Sequence, residues 1–288
     1  MEKRFLESMI EKIIHSLQTL EGTVVEKDKS YDVSMRDWGW PQGVALFAMY
    51  QYYVIKREPE LLKYLEDWFA EHEAGLPPVD VNSTCPMLTL TYLYEETGNP
   101  EYKRQLDKWC DEITAHFPRT EEGGFTHYIV TLPNEGQLWD DTLYMTVLFL
   151  ARMGQLRKEP ALQQESIRQF LVHIKYLTDT RTGLLFHGWD FNGRHNFAQA
   201  RWARGNSWYT AGLVDYADIK EQWTDPYTVR VKNASETATG YSILRYENRA
   251  LADFKHIWLD GHTETEVRFL QENENKRQTR SAHSCKEK

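Results

Sequence analysis

Apolar residues recur along this chain with a helical period, in paired blocks. PQGVALFAMYQYYVIK, PMLTLTYLYEETG and DTLYMTVLFLARMG are apolar and aromatic over most of their length. Each is followed by a more polar amphipathic block: REPELLKYLEDWFA (57–70), GNPEYKRQLDKWCDEI (98–113) and KEPALQQESIRQFLVHI (158–174). Every second block opens at a proline (Pro59, Pro100, Pro160) and carries an aromatic nine or ten positions on (Trp68, Trp109, Phe170). Proline suits a first helical turn because its missing N–H would be unpaired there anyway. The pattern predicts a helical hairpin repeated every ~40 to 60 residues.

Repeated hairpins can stack as an open solenoid or close as an (α/α) toroid. The connections favour the toroid. Segments entering the first helix of each hairpin are long and chemically loaded, among them VVEKDKSYDVSMRDWGWPQG, EAGLPPVDVNSTCP and PRTEEGGFTHYIVTLPNEGQLWDD. All lie at one end of the hairpins, which gathers aromatic, His, Asp and Arg residues on one rim. The expected fold is therefore all-α, with one barrel domain over 1–255. SETATGYSILRYENRALADF (235–254) reads as a further helix, and the polar stretch 256–288 as a loosely attached tail.

The formal net charge of −9 comes with no basic stripe, which argues against a nucleic-acid partner. Three cysteines without metal or disulfide spacing suit reduced thiols. The charged amphipathic start lacks a signal peptide's apolar core, and no apolar run reaches the ~18 residues of a membrane span. A cytoplasmic protein is expected. Ten Trp and sixteen Tyr suit either a large helical core or flat faces for ring substrates.

Two places concentrate chemistry. In GQLWDDTLYM, Asp140 and Asp141 stand at a helix start, where the macrodipole favours negative charge. Successive positions point about 100° apart, so the two carboxylates have different surroundings. Asp140 reads as a helix-start cap. Asp141 shares a face with Tyr144, Met145 and Leu148, where desolvation would raise its pKa against the dipole. The second place, FHGWDFNGRHNFAQARWARGNSW (186–208), joins His187, Asp190, His195 and three arginines to three tryptophans. Planar guanidinium forks beside indole faces suit an acidic sugar. RDWGWPQG, VDVNSTCP and GGFTHYI add Trp40, Asn82 and His127 to the rim. No HExxH, phosphate loop, GxSxG or GxGxxG is present, so no metal or organic cofactor is expected.

Taken in order, RDWGWPQG, VNSTCPMLTLTYLYEETG, GGFTHY, QLWDDTLYM, TGLLFHGWD and RWARGNSWY resemble the unsaturated rhamnogalacturonyl hydrolases of glycoside hydrolase family 105, relatives of the family 88 unsaturated glucuronyl hydrolases. The resemblance implies an (α/α)6 barrel of about twelve helices. It also implies hydrolysis of a 4,5-unsaturated uronic acid at the non-reducing end of a pectin-lyase fragment, by hydration of the vinyl ether. The family's acid falls on Asp141. Trp40, His127, His187, Trp202, Arg204 and Trp208 fall on its sugar site, with Arg204 near the substrate carboxylate. The partner implied is a small oligosaccharide. Two departures accompany the match: Asn82 stands where some members carry a second Asp, and DPYTVRVKNASETATGYSILR follows the RWARGNSWY helix closely. The second predicts a barrel short of helices at its C-terminal end, with a catalytically inactive, at most sugar-binding homologue as the alternative function.

Overall fold

The computed structural model describes residues 3–19 and 34–221, together with two short strands at 229–232 and 243–246. Helix α1 (Lys3–Thr19) precedes three hairpins. They pair α2 (Trp40–Lys56) with α3 (Pro59–His72), α4 (Val81–Thr97) with α5 (Pro100–His116), and α6 (Leu148–Leu156) with α7 (Pro160–Leu177). Helix α8 (Ala203–Glu221) follows.

Each hairpin turn uses one device. Two residues before the proline stands a left-handed residue: Arg57 (φ 58°), Gly98 (φ 67°) or Lys158 (φ 52°). The N–H groups of Arg57 and Gly98 return to the carbonyls of Tyr53 (2.6 Å) and Tyr94 (2.8 Å), closing the first helix. The proline then starts the next. Asn99 adds a cap on α5, accepting from the Glu101 N–H at 3.0 Å.

Composition sorts the helices into two layers. α4 is buried on nearly every side from Val81 to Leu93, and α2 from Gln42 to Tyr53. Helices apolar all round belong inside. α3, α5 and α7 bury a narrower stripe, such as Leu61, Leu65, Trp68 and Phe69 on α3. α2, α4, α6 and α8 accordingly pack side by side as the inner layer, each of the first three backed by its own outer partner. This is the all-α, two-layered packing of helical hairpins expected. At the α2–α4 crossing a Cβ on Gly43 would lie 2.6 Å from the Cys85 carbonyl carbon and the Pro86 nitrogen, so only glycine permits this approach. α1 lies against α2, with the Tyr52 hydroxyl donating to Glu11 (3.1 Å) and Lys56 pairing with Glu7 (3.0 Å).

Two features differ from the sequence reading. The segment entering α6 does not wind as an α-helix from its start, because Leu143–Val147 forms a π-turn. Within 235–254, Ile243–Tyr246 (β4) is a strand rather than helix, antiparallel to Val229–Lys232 (β3). The alternation in VRVK and the β-branched and aromatic ends of ILRY favour pairing over helix. Eight α-helices occur among the described residues. The expected tail, 256–288, lies outside the described residues. Among these, no helix is long and apolar enough to cross a membrane. Cys85 and Cys110 are buried free thiols, and burial raises both, Cys110 to about 12.

Candidate active site

A short strand pair builds the site. Gln137–Trp139 (β1), entering α6, pairs antiparallel with Gly188–Asp190 (β2), in the loop that enters α8. Trp139 faces Gly188 in this register, and the Asp140 N–H continues it by donating to the His187 carbonyl at 3.1 Å. Gly188 is obligatory because a Cβ there would lie 1.9 Å from Phe197. The clasp thus sets His187 against the two aspartates from a loop 47 residues further on.

Asp140 is fully buried (0% exposed) and does not cap a helix through its side chain. Its Oδ1 accepts from His187 Nδ1 at 2.8 Å, and its Oδ2 has no partner. The capping role read from the sequence is thereby corrected: the neighbouring strand turns the carboxyl inward, away from the N–H groups of the following turn. Gly205, in the first turn of α8, closes the other side, since a Cβ there would sit 2.2 Å from Asp140 Oδ2. Asp141 is partly exposed, with its Oδ2 3.5 Å from His187 Nδ1 and likewise unpartnered by a hydrogen bond. The face read for Asp141, Tyr144, Met145 and Leu148 loses its α-helical spacing in the π-turn.

Burial raises the Asp140 carboxyl to about 7; its hydrogen bond with His187 opposes this, while the neighbouring Asp141 carboxyl adds to the rise. Burial pushes His187 down, but the Asp140 hydrogen bond and the two carboxylate charges more than offset that, against a smaller opposing effect of Arg204. The donor atoms of Asp140, Asp141 and His187 lie within 4.8 Å of one another. This is the spacing a cation site would have, but His187 Nδ1 is already committed to Asp140.

Aromatic rings surround this cluster. His127 is buried, pushed down to about 4 by burial, hydrogen-bonded through Nδ1 to Thr142 (3.0 Å) and stacked on Trp139 (centroids 4.3 Å, planes 2° apart). Trp139 meets His187 edge-on at 4.8 Å, and His187 meets Trp202 at 5.0 Å. The Arg204 guanidinium lies 3.9 Å from the Trp202 ring and 5.2 Å from Trp40. Trp40 packs edge-on to Trp208, which contacts Tyr144. Asn82 is half-buried in the first turn of α4. Pro86 lacks the N–H that would bond the Asn82 carbonyl, so that carbonyl loses its usual helical partner. Asp80, two residues before it, caps α4 through a capping box with Ser83 and also accepts the Val130 N–H (3.2 Å).

The dense loop divides once folded. Arg194 pairs with Glu121 (2.8 Å) and Arg201 with Asp179 (2.8 Å), while Asp190 accepts the N–H groups of Asn192 and Gly193. Arg204 makes no ion pair among the described residues, which leaves a cation held flat between two indoles. Sequence reasoning gave no role to Trp139, Thr142 or Gly205. Their signals were available: a tryptophan adjoining the acid pair, and a glycine inside a helical block, where it costs about 1 kcal/mol relative to alanine unless packing demands it.

A toroid of helical hairpins with an acid cluster on an aromatic, cationic rim describes a glycoside hydrolase scaffold. Residues 13–259 match Glycosyl Hydrolase Family 88, and the chain belongs to that family. It is similar to the unsaturated rhamnogalacturonyl hydrolase YesR of Bacillus subtilis, 31% identical over 176 residues that cover 59% of this chain and 51% of YesR. Among solved structures it resembles a possible member of the GH105 family from Salmonella enterica serovar Paratyphi A (40% identity, TM-score 0.73, covering 77% of this chain and 61% of that one). It also resembles a possible member from Klebsiella pneumoniae (38%, TM-score 0.72, 77% and 60%). The chain thus spans about half the length of the curated relative and three-fifths of these structures.

Proposed function

We propose that this protein hydrolyses oligosaccharides that carry a 4,5-unsaturated uronic acid at the non-reducing end, as released from rhamnogalacturonan or other pectin by lyases. The observation that carries the reading is the placing of an acid cluster next to Arg204, which lies between two tryptophans and makes no ion pair among the described residues. An ordinary glycosidase sets two carboxyl groups about 5–10 Å apart across the scissile bond. Asp140 and Asp141 instead adjoin one another on one side, which suits proton delivery to a double bond.

In this reading Asp141 protonates C4 of the vinyl ether and water adds at C5. The resulting hemiketal opens, releasing the sugar chain. Arg204 pairs with the substrate carboxylate. Trp40, Trp202 and Trp208 supply ring faces, and His127, His187 and Asn82 supply polar contacts. The similarity to YesR, named for this activity, supports the substrate class.

The test incubates the protein with a pectin-lyase digest and follows the ultraviolet absorbance of the conjugated double bond. Steady loss of absorbance with release of a shortened oligosaccharide is expected. A folded protein that binds the digest without absorbance loss would leave the sugar-binding alternative in its place.

A further inference from the structure

We propose that Asp140 is a positioning residue that shares with Asp141 the proton the site delivers, and that anchors His187. The proposal deepens the reading above and rests on Asp141 as the acid.

Its basis is geometric. Asp140 has no exposed surface, so solvent cannot neutralise it directly. One of its oxygens takes the His187 Nδ1–H; the other, like Asp141 Oδ2, is buried with no donor. Two bare carboxylate oxygens in one cluster, with donor atoms within 4.8 Å, would leave two like charges side by side. A single proton between the carboxyl groups removes both deficits, and like charges so placed do not both ionise. The side of Asp140 toward α8 is sealed by the Gly205 backbone.

The groups facing the pair are consistent with this. His187 lies opposite and Arg204 approaches from α8, while His127, from the loop before β1, is held neutral by burial. Burial raises Asp140 in the direction that retains a proton near neutrality.

The step balances. Asp141 gives its proton to C4 and becomes a carboxylate. That proton is the shared one, so both carboxyl groups are ionised until the water adding at C5 returns a proton to the pair. One water is consumed, and the cluster ends with the protons it began with.

The test uses Asp140→Asn, which keeps an oxygen acceptor for His187 but cannot pass on a proton. The expected result is kcat lowered about tenfold to a hundredfold with KM within about twofold, and an alkaline limb of the kcat–pH profile moved to lower pH. An unmoved limb or an unchanged kcat overturns the proposal. Infrared spectra of the full chain with labelled aspartate carboxyls give a readout independent of turnover. A protonated-carboxyl band near neutral pH in the wild type, lost in Asp140→Asn, is expected. Absence of that band from the wild type overturns the proposal even if the variant does not fold. A band present in a protein that leaves the unsaturated substrate untouched would overturn the proposed function and uphold the Asp140 assignment.

Discussion

Gly205→Ala is the sharpest probe of how the site is held. The added Cβ would lie 2.2 Å from Asp140 Oδ2, 2.8 Å from Cγ and 2.9 Å from Oδ1, about 1 Å inside van der Waals contact. The carboxyl cannot retreat without cost, because it is fully buried and its Oδ1 is bonded to His187 at 2.8 Å. Overpacking costs about 2 kcal/mol and a weakened charged hydrogen bond about 2 kcal/mol more. Replacing a helical glycine by alanine returns about 1 kcal/mol. A net loss of about 3 kcal/mol follows, or roughly 6–12 °C in Tm. Gly212→Ala on the same helix is the control, since its nearest neighbour is the Tyr144 ring edge at 3.3 Å, which need give only a little. It should fall within about 1 kcal/mol of wild type. Thermal melts of both variants decide the matter. If Gly205→Ala melts with or above Gly212→Ala, the tight approach of α8 to Asp140 is not real, and the sealed acid cluster fails with it.

Other expectations follow from the same geometry. Asp141→Asn should lower kcat on a pectin-lyase digest by about 10²–10⁴ while leaving the melt nearly unchanged; full activity would remove Asp141 from the chemistry. Arg204→Met should raise KM for the unsaturated uronide by roughly tenfold to a hundredfold, from the loss of a charge-assisted contact, and an unaltered KM would mean the substrate carboxylate lies elsewhere. Stability should fall on both sides of a pH optimum. His127 and His173 are lowered to about 4 by burial, so stability present above about 6.5 is lost as pH falls through that window. Asp140, raised by burial to about 7, and the raised His187 act oppositely: the Asp140 contribution is complete below about 4 and lost as pH rises to about 7, and the His187 contribution is complete below about 6.5 and lost above it. In a Tm–pH series, Asp140→Asn should flatten the alkaline decline and His173→Gln the acid one; parallel curves would contradict this.

Much of the fold was legible because its determinants are local. Prolines fixed the second helix of each hairpin, and the contrast between all-round apolar blocks and striped ones separated inner from outer helices. The rim could be read because every loaded loop enters an inner helix from the same end. What local pattern could not give was pairing between distant segments. Three-residue strands carry no usable period, so nothing in QLW and GWD announced that they would clasp. That clasp turned Asp140 from an expected cap into a buried partner of His187. Charge sorting in the loop before α8 was equally hidden, because Arg194 and Arg201 are claimed by Glu121 and Asp179, far away in sequence. The expected helix over 235–254 failed at ILRY, where a nearby VRVK offered a strand partner.

The clasp also bears on how the molecule folds. Asp140 owes its buried surroundings both to the loop carrying His187 and to the first turn of α8. A partly assembled chain, with the earlier hairpins packed and α8 still free, would hold an ordinary ionised Asp140. With the proton proposed for Asp140 in place, folding near neutral pH takes up a proton from solvent, and the buffer it folds in has to supply it.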